Sequence, residues 1–221
     1  NTAGKTLHLN LDGNTHDLEN VIDLTAKQTN MTQWEYFTTT IKELYNNVET
    51  LKSQGFETLV FDPIDELYEM VRQEILRPLK VKNESEIAND FGATGMKIKQ
   101  TFYDLFKDIS TELGKHFNII YVTYTTVRED KEEGVAKIVP SIIESIKVKK
   151  DPYKFNLSKF TQIDAILTVV AGVNSEGQRI TKRKLIIAPT ESFTAGNRMG
   201  KTDAILDPTW TKLQTILKEN N

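Results

Sequence analysis

Two short apolar runs, each preceded by a long amphipathic stretch, set what this chain can fold into. Glu57-Thr-Leu-Val-Phe-Asp62 is one and Phe117-Asn-Ile-Ile-Tyr-Val-Thr123 is the other. Runs this short and this apolar suit strands buried on both faces, which is how parallel sheets are built. Before the first run, Trp34, Phe37, Ile41, Leu44, Val48 and Leu51 recur at three and four, predicting one helix over 33–53 that Gly55 stops. After it, Ile64, Leu67, Tyr68, Val71 and Ile75 mark a helix that Pro78 ends, and Ile98, Phe102, Phe106 and Ile109 mark another that Gly114 closes. Thr6-Leu-His-Leu-Asn-Leu11 alternates at period two and runs into Asp12-Gly13-Asn14, a strand followed by a turn.

Strands alternating with helices imply an α/β fold: a mostly parallel sheet with helices on both faces. Residues 164–171 and 179–187, joined by a Gly-, Asn- and Ser-bearing connection, add an antiparallel C-terminal hairpin. Residues 125–137 are nearly devoid of apolar side chains and read as a mobile loop. A Gly-bearing loop is expected over 189–208, then a closing helix carrying Trp210, Leu213, Ile216 and Leu217. No repeat or linker composition interrupts the 221 residues, so the reading is a single domain over 1–221. In such sheets ligands bind outside the carboxyl ends of the strands, where residues 12, 62 and 123–124 fall.

Composition removes several chemistries. Without cysteine there is no disulfide framework, thiolate nucleophile or thiolate metal site. No apolar run approaches the ~18–20 residues that span a bilayer; with no cysteine, a reducing compartment is the expected one. His8, His16 and His116 lack metal-triad spacing, and Ser110 and Ser192 lack a nucleophile-elbow setting. Charge is uneven: residues 1–110 carry 11 Lys+Arg against 18 Asp+Glu, whereas 111–221 carry 17 against 13. Residues 147–184 alone hold nine basic and three acidic side chains, among them Lys147, Lys149, Lys150, Lys182, Arg183 and Lys184. Such a stretch either contacts a polyanion, such as a nucleic acid, or is a solvated face.

A strand-ending carboxylate such as Asp62 can hold Mg²⁺ beside nucleotide phosphates, and Asp65 and Glu66 can place a second acid near it to position water. Asp65 and Glu66 equally suit the first turn of a helix. Gly4-Lys5-Thr6 has the ending of a phosphate loop, with Lys5 for phosphate and the Thr6 hydroxyl for Mg²⁺. Such a loop must open a helix, yet Thr6 runs into a strand. Two readings stay open: either a helix once stood between Thr6 and Leu7, or these residues are the turn before the strand and the true loop lies upstream of Asn1, with an N-terminal strand.

In order and spacing, Asp12-Gly13-Asn14, Leu59–Asp62, Phe91-Gly92 with Gly95, Ile119–Thr123, Lys137-Ile-Val-Pro140, Asp164 and Ala195-Gly196-Asn197-Arg198 resemble the small RecA-like AAA ATPases of tailed bacteriophages. The likeness implies a P-loop NTPase core that binds ATP with Mg²⁺ and works in phage DNA recombination or replication. By that likeness Asp62 is the Walker B acid, and Thr123 and Tyr124 stand at the polar sensor position, where many relatives carry His in place of Tyr124. Arg198 matches an arginine that contacts phosphate or reaches a neighbouring subunit. The implied partners are single-stranded DNA, a phage single-strand-annealing or single-strand-binding protein, and further copies of the chain. The rival expectations are a non-catalytic nucleotide-binding scaffold that docks a recombination or regulatory protein, and an ATP-binding regulator without DNA affinity.

Overall fold

Alternation along β1 (Lys5–Asn10) sends Leu7 and Leu9 to one face of the sheet and Thr6, His8 and Asn10 to the other. In this computed structural model, which describes residues 4–14, 18–25, 30–130, 134–148, 154–161, 163–190, 192–197, 204–209, 211–213 and 215, β1 is flanked by β2 (Val21–Asp23) and β3 (Phe56–Asp62), and β4 (Asn118–Tyr121) lies beyond β3. All three pairings are parallel, in the order β2-β1-β3-β4. Asn10 stands opposite Asp62 and Phe61 opposite Tyr121, so the strands end together along one edge. The expected α/β class with a parallel sheet is what forms.

Helices supply the cover. α1 (Gln33–Asn46) starts from a capping box: Thr32 Oγ1 accepts from the Glu35 amide at 3.1 Å and Glu35 Oε2 accepts from the Thr32 amide at 2.7 Å. The single helix expected over 33–53 is two. Asn47 leaves helical geometry at φ −112°, ψ 18°, and its amide and side chain both donate back to the Glu43 carbonyl. A second helix, α2 (Val48–Ser53), restarts from it. α3 (Ile64–Leu76) follows β3 directly, and Pro78 ends it in a 3₁₀ turn. α4 (Ala93–Glu112) packs on the sheet through a chain of rings. Fully buried Phe102 meets Tyr68 of α3 edge-on at 5.4 Å, and Phe106 lies 4.2 Å from Tyr121, which stacks on Phe61 at 5.4 Å. Between α3 and α4, Arg72 binds Glu69 and Glu84 (both 3.0 Å) and Asn83 Oδ1 (2.9 Å), fastening the polar connection. Its guanidinium holds the Glu84 carboxyl below the usual range.

The chain divides into two compact units: Gly4–Tyr124 with Ser145–Leu157, which contains this parallel sheet, and Thr125–Glu144 with Ser158–Asn221. Segments of the two alternate in sequence, so their boundary leaves no linker composition. The second unit corrects one expectation: within 125–137, residues 125–130 and 135–137 are strand. β5 (Thr125–Asp130) pairs antiparallel with β6 (Val135–Pro140), and Gly134 takes φ +65° in the turn. β5 carries Val127 as its one aliphatic residue and is held by its ladder to β6, which is why the sequence pattern hides it. α5 (Ser141–Ile146) follows, and β7 (Ile163–Asp164) pairs with β10 (Gly196–Asn197). β8 (Ile166–Val173) and β9 (Arg179–Ile186) form the expected hairpin, with β11 (Ala204–Leu206) on the far side of β9. Of the closing helix, residues 211–213 and 215 are helical; Trp210, Ile216 and Leu217 lie outside the described residues.

Removing the ring at the centre of the α3–α4 packing, in Phe102→Ala, should cost about 3–5 kcal/mol of stability. Thr32→Ala, which only uncaps α1, should cost about 1 kcal/mol. Urea denaturation of the two variants measures both, and equal losses would contradict the assignment of the core to the α4 rings.

Candidate functional site

The carboxyl edge of the parallel sheet gathers three chain segments. The first is the turn after β1. Asn10, itself buried, turns its Oδ1 to accept from the Asp12 and Gly13 amides at 3.3 and 2.9 Å, and Gly13 takes φ +88°, where a side chain would be strained. This fold-back presents Asp12, whose carboxylate accepts from the Asn14 amide and side chain at 3.0 and 2.7 Å.

The second segment is the end of β3. Asp62 lies on the face shared by His8 and Asn10, because Asn10 is its register partner and His8 stands two residues deeper. Its carbonyl accepts from the Leu11 amide at 2.7 Å, so the backbone carrying the carboxylate is tied to β1. Burial, then the charge of Asp12, raises the Asp62 carboxyl above its ordinary range, while His8 opposes the rise. Glu66, in the first turn of α3, is raised by burial and then by Asp12, Glu69 and Asp65. Burial lowers the His8 imidazole, and its Nδ1 is buried without a hydrogen-bond partner.

The third segment follows β4. Thr123 Oγ1 donates to Asp65 Oδ2 at 2.7 Å, and the Tyr124 amide donates to the same oxygen at 3.0 Å. The Tyr124 hydroxyl donates to Asp12 Oδ2 at 3.0 Å. Desolvation, that hydrogen bond and the charges of Asp12, Glu66 and Asp65 push the Tyr124 hydroxyl up to about 12. Tyr124 therefore remains a proton donor at neutral pH. It closes the edge from the side of β4 onto the turn after β1.

Asp62, Glu66, Thr123 and Tyr124 are thus brought together as the sequence reading expected of one edge. Gly4, Lys5 and Thr6 are not with them. Lys5 and Thr6 lie inside β1, the Lys5 amide donates to the Gly55 carbonyl at 3.0 Å, and the Lys5 ammonium sits 4.2 Å above the Phe56 ring. Gly4 takes φ +63°, and a Cβ there would run into the Glu57 side chain. These residues occupy the amino edge, roughly 13–20 Å of strand away from the level of Asp62. That corrects the assignment of Gly4, Lys5 and Thr6 to phosphate and of Thr6 to the metal. Gly4 leads into β1, Lys5 and Thr6 are its first two residues, and no helix N-terminus follows them.

Arg198, Lys149 and Lys150 lie outside the described residues. Lys147 belongs to the first unit, and its carbonyl accepts from Lys99 Nζ at 3.0 Å; Lys182, Arg183 and Lys184 belong to β9 in the second unit. Lys182 and Lys184 share the half-buried face of that hairpin and Arg183 the exposed one. Residue 12 lies at this edge as the sequence placed it, though Asp12 had no chemical role in the sequence reading. Asp65, which suited either a second acid at the edge or helix-end charge, ties the end of β4 to α3.

Acids crowded at a sheet edge, with raised proton affinity, suit a hard divalent cation, which relieves their mutual repulsion. Among the described residues no group of three or more His, Asp or Glu side chains is placed to hold a metal ion unaided. A cation held by one or two of these carboxylates, completed by water and phosphate oxygens, is the usual arrangement for Mg²⁺ and fits this edge. The electrostatics have a direct check. In Asp12→Asn one neighbouring negative charge is gone, so the Asp62 carboxyl should titrate at lower pH than in the wild type, followed by carbon-detected NMR. An unchanged Asp62 titration would mean that Asp12 does not face it.

A scan against protein families matches the AAA domain over residues 1–199. Comparison with curated proteins gives no match, and comparison with solved structures gives none either. No helix among the described residues is long and apolar enough to cross a membrane. With the family match spanning most of its length and the carboxylates gathered at the carboxyl edge of a parallel sheet, the chain belongs to the AAA domain family of P-loop, nucleotide-binding ATPases.

Proposed function

We propose that this chain is the core of an ATP-hydrolysing protein of RecA-like type, acting with Mg²⁺ and single-stranded DNA in phage recombination or replication, in the cytoplasm of a bacterial host. The observation that carries the nucleotide half is Asp62 at the end of the central strand β3, beside Asp12 and ahead of Glu66. When bound, Mg²⁺ would draw charge from the β- and γ-phosphate oxygens. Asp62 and Asp12 would hold it, directly or through water. Glu66, with its raised proton affinity, would accept a hydrogen bond from an attacking water. Thr123 and Tyr124 would carry the polar sensing role, and Tyr124, already engaged with Asp12, would read any displacement of that carboxylate. Arg198 is the proposed γ-phosphate contact, in its own subunit or a neighbour's.

A second reading follows from one observation: Gly4-Lys5-Thr6 forms a strand entry and does not cradle phosphate. The same fold then serves as a nucleotide-binding scaffold that docks a single-strand-annealing or other recombination protein without turning nucleotide over. The test is Mg²⁺-dependent ATP turnover in the wild type and in Asp62→Asn. The first reading expects measurable turnover that falls by on the order of 10²-fold or more in the variant. Equal rates in both proteins would remove Asp62 from the chemistry, and nucleotide binding without turnover in the wild type would establish the scaffold.

Single-stranded DNA binding is expected through β9. With about three to four phosphates neutralised, log K should fall against log salt with a slope near −2 to −3. Exchanging Lys182 and Lys184 for Glu should weaken binding to all sequences alike and flatten that slope, with Mg²⁺·ATP affinity unchanged. An unaltered slope would leave these lysines a solvated face.

A further inference from the structure

β8 sits at the edge of its sheet, yet it has the sequence of a central strand. The three strands run in the order β11-β9-β8, so among the described residues β8 has a neighbour on one side only. Edge strands are ordinarily protected by charge, proline, a bulge or shortness. β8 is eight residues long, Ile166-Leu-Thr-Val-Val-Ala-Gly-Val173, with no charged residue and no proline, and it pairs with β9 without a bulge. The charges of the hairpin strands are all on β9, the middle strand: Arg179, Lys182, Arg183 and Lys184. Protection is therefore on the strand that does not need it, and absent from the strand that does.

Main-chain and side-chain exposure coincide on β8. At the turn, the Asn174 amide donates to the Gln178 carbonyl at 3.0 Å, which marks these residues as a hydrogen-bonded pair. Antiparallel pairs alternate, so Gly172, Val170 and Thr168 are bonded to β9, while Val173, Ala171, Val169 and Leu167 turn their N–H and C=O groups outward. The same residues bare their side chains: Leu167 is 58%, Val169 65% and Val173 62% exposed.

We infer that β8 is the strand through which two copies of this chain join, pairing antiparallel with its own symmetry mate about a two-fold axis at Val170. This centring matches Leu167 with Val173 and Val169 with Ala171, so the outward groups of all four residues find partners and aliphatic side chains meet aliphatic side chains. A second copy is the occupant because this strand is self-complementary: an isologous antiparallel pairing needs the same patch on both partners, and an uncharged strand brings no like charges together. The basic β9 strands of the two copies would stand three strand spacings apart, about 14 Å. That exceeds the ~8 Å screening length at physiological salt, so their repulsion is weak. The pairing yields a six-stranded sheet with two parallel basic stripes.

The absence of cysteine makes the register directly testable. Across the two-fold axis Val170 faces Val170 of the second copy as a non-hydrogen-bonded pair, with Cα atoms ~4.5 Å apart, within the span of a disulfide. On the whole chain, Val170→Cys should oxidise to a covalent dimer at least about tenfold faster than Thr181→Cys, an exposed β9 position that would meet another copy only by collision. Wild type should sediment as a dimer at tens of micromolar, and Ala171→Lys, which adds a charge to the edge, should weaken that dimer by about tenfold or more. Equal oxidation of the two cysteine variants, a monomeric wild type, or a dimer untouched in folded Ala171→Lys would each overturn the proposal. Should Ala171→Lys fail to fold, the cysteine pair still decides.

Discussion

The parallel, in-register pairing of β1 with β3 is the constraint on which the rest depends. Because Asn10 stands opposite Asp62 and Phe61 opposite Tyr121, three strands finish on one line. Only there can a turn residue, a strand-ending acid and the Thr123–Tyr124 pair lie within reach of each other. The backbone continues the ladder past the strands: Leu11 donates to the Asp62 carbonyl, Val122 to Phe61 and Ile64 to Val122. Those bonds fix where Asp12, Asp62 and Tyr124 emerge. A one-residue slip would move Asp62 to the opposite face and separate it from His8 and Asn10.

This arrangement is held against its own electrostatics. Asp62 and Glu66 both have carboxyls raised above their ordinary values, chiefly by burial and then by Asp12. A carboxyl with a higher proton affinity in the folded state lowers stability as pH rises from its unfolded toward its folded value, so at neutral pH both acids work against folding. The aromatic stack of Phe102, Phe106, Tyr121 and Phe61 lies under the same edge and provides packing that offsets the strain. A divalent cation, if held there as proposed, would relieve the mutual repulsion of these acids.

Much of the first unit was legible because burial on both faces leaves a strong pattern. Leu59-Val-Phe-Asp62 needed only its apolar run and terminal acid to be placed at a sheet edge. The rest failed for particular physical reasons. β2 is three residues long and carries no period. β5 is polar and rests on its ladder to β6, so residues 125–137 looked like a loop. The break at Asn47 turns on a side chain bonding back to the Glu43 carbonyl, which periodicity does not register. Gly4-Lys5-Thr6 has the letters of a phosphate loop but not its context, because a strand and not a helix follows it. Asp65 was indistinguishable from helix-end charge until its bonds to Thr123 and Tyr124 were in view.

The central claim is that nucleotide binds at the carboxyl edge of the parallel sheet and not at the Gly4-Lys5-Thr6 turn. Backbone amide NMR of the protein during titration with Mg²⁺ and a non-hydrolysable ATP analogue tests it in one experiment. The account predicts shifts concentrated in residues 11–14, 62–66 and 122–124, with residues 4–6 unmoved. Shifts centred on Gly4, Lys5 and Thr6, with the carboxylate edge silent, would contradict it.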